Sequence, residues 1–243
     1  MSGHSKWAQI KHKKAATDAK RGNLFSKLAR AVSVAAKEGG GDPATNPKLR
    51  LAVERARNFN MPTDNIERAI AKAASAKEVG EFSPITYEIY GPGGSAIVAE
   101  GITDNKHRTA AEIKHLLSDH GGKLAESGAV GWLFLRKGCV VLERRRNPKL
   151  QEPDSELRLI EAGAEEIDQA DDAVTLFAAP EKRAELEDAI ATLGFEISDA
   201  ADVLVAKNEV SLEGNDKLAA KKLIEALGAH DDIEEVWSNI ENL

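Results

Sequence analysis

Eight of the first thirty residues are Lys or Arg: Lys6, Lys11, Lys13, Lys14, Lys20, Arg21, Lys27 and Arg30, against the single acid Asp18. The whole 243-residue chain carries a formal net charge of −7. A cationic run on an acidic body suits docking on phosphate, because each neutralised phosphate releases condensed counterions. Trp7 sits inside the run, where its indole can stack on a base or beneath an arginine, or can anchor the arm to its own protein. Gly3, His4 and Ser5 precede it without helical patterning, which reads as a basic arm that orders on binding. Arg55 and Arg57 extend the cationic set.

The residue types that carry covalent or metal chemistry do not assemble into a pattern. His115 and His120 stand five apart, which misses the i, i+4 geometry of a helical zinc pair. Cys139 lies in Gly138-Cys139-Val140-Val141-Leu142 and reads as a buried, inert thiol. One polar cluster is dense enough for a site, Thr103-Asp104-Asn105-Lys106-His107-Arg108-Thr109, entering a helix N-terminus where anions are welcome. Asp104 and His107 are the residues an enzyme reading would need, yet turn and cap roles explain the same composition. The expectation is a binding protein, not an enzyme, with no cofactor and no metal.

The charge is unevenly distributed. Residues 1–75 hold 15 Lys and Arg against 6 Asp and Glu, while 76–243 hold 18 against 34. Such a split assigns the segments different roles. No apolar run approaches the roughly 20 residues that span a bilayer, and no secretory h-region follows the basic start. A single cysteine forbids an internal disulfide and fits a reducing compartment, so the cytoplasm is expected.

The elements that position these groups follow from period and punctuation. Leu24, Leu28, Val32 and Ala35/Ala36 predict a helix after Arg21-Gly22-Asn23, ending at Gly39-Gly40-Gly41. Asn46 and Pro47 cap a second helix with core residues Leu49, Ala52, Val53 and Ala56. Thr63 or Asp64 caps a third, with Ile66, Ala69, Ile70 and Ala73 inward. After a linker at 76–84 the period changes to 2. Ile85–Tyr90 and Ser95–Glu100 read as strands around Gly91-Pro92-Gly93-Gly94. Thr109 with Glu112 reads as a capping box opening the next helix.

A unit in which a helix ends in glycine and feeds a short strand then recurs four times, at Gly121-Gly122, Gly163, Gly194 and Gly228. Four such helices imply two domains of split β-α-β type. Strands Cys139–Glu143, Glu165–Asp168, Val174–Ala178 and Phe195–Asp199, with helices from Asp154 and Glu181, complete one set. The final helix Lys217–Leu227 and strand Ile233–Trp237 return to the other. The expected fold class is α+β with three domains: a basic arm and helical domain over 1–79, a discontinuous ferredoxin-like domain over 80–135 plus 207–243, and an inserted ferredoxin-like domain over 136–206. A serial arrangement competes, because the 124–139 link fits either sheet.

Several of these words, in order, resemble the YebC/PmpR family: Gly3-His4-Ser5-Lys6-Trp7, Lys13-Lys14-Ala15-Ala16 with Asp18-Ala19-Lys20-Arg21-Gly22, Gly39-Gly40-Gly41-Asp42-Pro43, Asn46-Pro47, Tyr90-Gly91-Pro92-Gly93-Gly94 and Asp104-Asn105 with Arg108-Thr109. The resemblance runs from about residue 2 to 240. It implies a helical N-terminal domain with two ferredoxin-like domains, and a cytoplasmic, non-enzymatic regulator of gene expression. Members are described as DNA-binding transcriptional regulators; others, including mitochondrial relatives that activate translation of cytochrome oxidase, look like translation factors acting on the ribosome at difficult sequences such as proline runs. The expected partners are therefore DNA or ribosomal RNA, with the ribosome itself in the second case and no membrane in either. A small-ligand sensor, with ligand held between paired ferredoxin-like domains, is the rival of another class.

Overall fold

The computed structural model describes residues 18–75, 83–241 and 243. The chain divides into two compact units, one comprising the described residues up to 133 together with 208–241 and Leu243, the other residues 134–207. Among the described residues no helix is long and apolar enough to cross a membrane.

The first unit opens with three helices, α1 (Asp18–Gly39), α2 (Pro47–Asn58) and α3 (Thr63–Ser75). Their helical-period residues Leu28, Val32, Ala35, Ala36, Leu49, Val53, Ala56, Ile66 and Ala69 close one core. Helix α1 starts at Asp18, ahead of Gly22. One interior glycine costs only about 1 kcal/mol, which a 22-residue helix tolerates. Asn46 is 4% exposed and ties two helix ends together. Its Oδ1 accepts from the Leu49 N–H that starts α2, and its Nδ2 donates to the Ala35 and Gly40 carbonyls that end α1. This satisfies three groups that a helix terminus otherwise leaves unpaired.

The same unit carries a four-stranded antiparallel sheet. Strand β1 (Ser83–Tyr90) pairs with β2 (Ala96–Thr103), helix α4 (Lys106–Asp119) follows, and the short β3 (Lys123–Leu124) pairs with β1. Residues 134–207 supply the elements of the second unit: β4 (Phe134–Glu143), α5 (Ser155–Glu161), β5 (Glu166–Gln169), β6 (Ala173–Ala178), α6 (Arg183–Thr192) and β7 (Asp199–Ala206). Helix α7 (Gly214–Ala229) and β8 (Ile233–Ser238) return to the first sheet, β8 pairing with β2.

The strand orders are β3-β1-β2-β8 and β5-β6-β4-β7. The second is the ferredoxin-like order read directly along the chain. The first has the same order with β1 occupying the place of the third strand, although it precedes the other three in sequence. Ile89, Ile97, Ala99, Ile113, Leu117, Leu223 and Leu227 form the first core between sheet and helices. Val140, Leu142, Leu159, Val174, Leu176, Leu186 and Ile190 form the second. The architecture is α+β, a helical part followed by two ferredoxin-like sheets, one lying between the segments of the other.

Three local expectations are corrected. Helix α4 begins at Lys106 with Asn105 as its cap, whose side chain accepts from Arg108 N–H. Thr109 is buried inside the helix instead, because its hydroxyl is drawn to a carboxylate described below. Residues 195–198 do not start β7. Glu196 N–H donates to Asn147 Oδ1 and Ser198 N–H to the Val141 carbonyl, so this stretch is held by a loop residue and a strand end, not by a ladder. Gly121, Gly163 and Gly194 adopt φ of 72°, 106° and 78°. That is the left-handed conformation that ends a helix, but Gly228 lies within α7.

Candidate nucleic-acid interface

The cations selected from sequence separate into three groups. Lys6, Lys11, Lys13 and Lys14, with Trp7 among them, lie outside the described residues, as do residues 76–82 of the linker expected at 76–84, whose last two residues instead open β1. Lys20 and Arg21 fall in the first turns of α1, with their side chains also outside the description. Lys27, Arg30, Arg55 and Arg57 are described, and the structure uses them in two different ways.

Lys27 and Arg30 stand on a flank of α1, one turn apart and beside the buried Leu28. Lys27 Nζ donates to the Gly228 carbonyl at 2.6 Å. Burial pushes its ammonium below the usual lysine value, with the charges of Asp231 and Glu234 opposing that fall. Arg30 Nη1 donates to Asp232 Oδ1 at 2.6 Å and to the Asp231 carbonyl at 3.1 Å. Arg55 on α2 pairs with Glu235 on β8. These three bind the helical bundle to the acidic stretch from α7 into β8.

Asp232 is the hub of that contact and is 2% exposed. Arg108 Nη2 donates to its Oδ2 at 2.7 Å, while the hydroxyls of Thr109 and Thr103 lie 2.7 and 3.0 Å from the same oxygen. Arg108 also meets Asp104 at 2.9 Å. Burial alone would raise the Asp232 carboxyl; hydrogen bonds from Thr109, Arg108 and Thr103, with the Arg30 charge, outweigh it and bring the group down to about 2. The backbone cooperates. Ile102 N–H donates to the Asp232 carbonyl at 2.9 Å, next to a β-bulge at Glu100/Gly101. At Gly101 a β-carbon would collide with the Asp232 carbonyl oxygen. Only glycine admits this approach of one strand to the other at the bulge.

The polar cluster Thr103–Thr109 therefore divides. Thr103, Arg108 and Thr109 converge on Asp232, Asn105 caps α4, and His107 and Lys106 face solvent. Among the described residues no three His, Cys, Asp or Glu side chains come together to hold a metal. Asp232 itself escapes sequence reading, because His230-Asp231-Asp232 looks like an ordinary polar turn between a helix and a strand.

Arg57 is exposed on α2, as is Arg50, two helical turns earlier on the same side with Glu54 between them. Lys48 is paired with Glu38 at 2.7 Å. Arg50 and Arg57 thus face solvent where a phosphate can reach them, whereas Lys27, Arg30 and Arg55 face protein acceptors.

Residues 5–76 match the model of the TACO1/YebC protein N-terminal domain, and 82–240 that of the TACO1/YebC second and third domain. A protein of Dictyoglomus turgidum named "Probable transcriptional regulatory protein" is 46% identical over 242 residues, covering 99% of this chain and 96% of that protein. One of the same name from Thermosipho melanesiensis is 48% identical over 241 residues, covering 99% and 94%. The crystal structure of a conserved hypothetical protein from Aquifex aeolicus superposes with a TM-score of 0.86 at 39% identity, covering 97% of this chain and 96% of that one. With both family models matched in order across nearly the whole chain, this chain belongs to the TACO1/YebC family.

Proposed function

We propose that the chain is a regulator of gene expression that binds nucleic acid through its basic N-terminal segment and acts on transcription without catalysis. The observation that carries the reading is the eight cations against one acid in the first thirty residues of a protein whose net charge is −7. The names of its relatives support it. In this reading Lys6, Lys11, Lys13, Lys14, Lys20 and Arg21 contact phosphates, Trp7 stacks, and Arg57 extends the surface. Lys27, Arg30 and Arg55 contribute by fixing the bundle to the first sheet. Residues 1–79 dock in the cytoplasm on the chromosome, while the ferredoxin-like domains over 80–135 with 207–243 and over 136–206 set orientation or bind protein.

The test is the salt dependence of binding. A Lys11/Lys13/Lys14→Glu variant and the parent are titrated against duplex DNA and single-stranded RNA, and each lost phosphate contact lowers the slope of log K on log salt by about 0.9 or 0.7 respectively. Equal affinity and equal slope for parent and variant would refute the assignment.

A second reading, a translation factor on ribosomal RNA, is favoured by the acidic remainder of the chain, 18 basic against 34 acidic residues over 76–243. Such a body is repelled by a long duplex, while an arm with Trp7 and His4 suits irregular, partly single-stranded targets. Sedimentation of lysate with and without nuclease separates the two: comigration with ribosomal particles supports RNA, recovery on chromosomal DNA supports transcription.

A further inference from the structure

We propose that the loop Arg144–Lys149 of the second unit is an additional phosphate-contact surface for nucleic acid, an inference that rests on the nucleic-acid-binding reading above. Residues 134–207 are acidic, with 10 Lys and Arg against 17 Asp and Glu. Four of those ten cations, Arg144, Arg145, Arg146 and Lys149, fall within six residues.

The loop is built as a fixed bend. Asn147 is 3% exposed; its Nδ2 donates to the Glu143 and Glu196 carbonyls, both at 3.0 Å, and its Oδ1 accepts from Glu196 N–H at 2.7 Å. Arg146 N–H donates to the Glu143 carbonyl and Asn147 N–H to the Arg144 carbonyl, each at 3.1 Å, closing the turn. Pro148 then opens a short 3-10 turn that ends the loop.

The guanidinium groups are held by part of their donor set. Arg145 Nε donates to the buried Glu143 carboxylate at 2.6 Å, and Arg146 Nη1 to Glu196 at 2.6 Å with its Nε 3.3 Å from Glu143. A guanidinium has five N–H donors in a rigid fork, so an arginine steered by one edge offers the other to a phosphate. Its side chain is already ordered, which lowers the entropic cost of the new contact. The Arg145 side chain is 75% exposed. Glu143 and Glu196 offset two of the four charges, and Glu152 is engaged by Arg158 at 3.3 Å. Arg144 is turned inward, to the Ala170 carbonyl and Gln169, beside the acidic turn at Asp171 and Asp172. The contact therefore falls to Arg145 and Lys149, since Arg146 is held on one edge by Glu143 and on the other by Glu196, with Glu143 as the positioning carboxylate.

The experiment compares the full chain with an Arg145→Ala/Lys149→Ala variant and with a charge-matched control, Lys221→Ala/Lys222→Ala, which removes two exposed lysines from α7. Both pairs are surface residues, and circular dichroism of each variant is the check on its folding. Probes are a mixed-sequence DNA duplex of about 30 bp and an RNA of about 30 nucleotides, titrated from about 50 to 300 mM salt. The loop variant is expected to lose about 3–10-fold in affinity near physiological salt and to lower the salt slope by roughly 0.7–0.9 for each contact, while the control keeps the parent's slope. A loop variant that matches the control would overturn the inference and leave the nucleic-acid reading intact, since the N-terminal triple variant reports on that separately. An acidic protein as the loop's partner corresponds to the same outcome. If the parent binds neither probe, both readings fall together.

Discussion

Replacing Asp232 by Asn keeps the shape of the side chain but removes the charge on which Arg30, Arg108, Thr103 and Thr109 converge. In the folded chain this carboxyl is held at about 2, against its ordinary 3.8. That difference corresponds to about 2 kcal/mol of stability carried by the ionised form. The folded value is the lower one, so the contribution is fully present above about pH 4 and disappears as the pH falls towards 2. Truncating one partner of a buried pair leaves the other charge stranded, at a cost of about 3–5 kcal/mol where both are desolvated. Here the Arg30 and Arg108 side chains are 26% and 44% exposed and can rehydrate. That places the Asn variant nearer to about 2–3 kcal/mol. Urea unfolding at pH 7 and at pH 2.5 measures the difference. Amide hydrogen exchange over 18–75 shows whether the helical bundle is what loosens. The variant should unfold at lower urea at pH 7, with the gap narrowing at pH 2.5. A midpoint equal to the parent's at pH 7, or a gap that does not change with pH, would refute the charged-hub account.

Gly101→Ala drives a β-carbon into the Asp232 carbonyl oxygen and to 2.8 Å from Ile233 Cα, both backbone atoms, so β2 and β8 must separate. A loss of about 3 kcal/mol or more is expected by thermal unfolding. Leu49→Ala empties a fully buried site in the three-helix core, and should cost about 2–5 kcal/mol in the same assay. Glu88 accepts the N–H groups of Gly128, Val130 and Gly131, each at 2.6 Å. Burial alone would raise its carboxyl, but those three donors hold it below the usual glutamate value. Anchoring of the 128–131 turn is therefore present at neutral pH and lost as acid titrates the group. Glu88→Gln should speed hydrogen exchange in that turn at pH 7 and leave the core strands protected.

The elements were legible where period and punctuation agree. Leu28, Val32 and Leu49 announce the helical core because apolar residues at helical period line one face that packs inward, and Asn46-Pro47 marks a helix start by chemistry that operates within one turn. Thr109 misleads because T-x-x-E is a local pattern. The hydroxyl's actual partner, Asp232, is 123 residues away, and nothing near Thr109 in sequence signals it. The same limit applies to the cations. Lys27, Arg30 and Arg55 carry the same charge as Arg57, yet the first three meet acceptors about 180–200 residues further on while Arg57 faces solvent. Charge composition finds the basic segment but not which of its members are already engaged. Strand β7 is displaced by four residues from its expected start for a related reason: Asn147, on another loop, takes the hydrogen bonds of Glu196.

The position of β8 also has a bearing on how the protein is made. β2 cannot acquire its outer neighbour until β8, which follows Asp232 at 129 residues beyond Thr103, leaves the synthetic machinery, by which time the whole of 134–207 has emerged. At about 5–20 residues per second that interval is on the order of ten seconds. Throughout it the edge of β2 has unpaired backbone groups, and Arg30, Arg108, Thr103 and Thr109 lack their carboxylate. The later-made sheet β5-β6-β4-β7 is complete first, and the helical bundle is fastened to its own sheet only once Asp232 and Glu235 arrive.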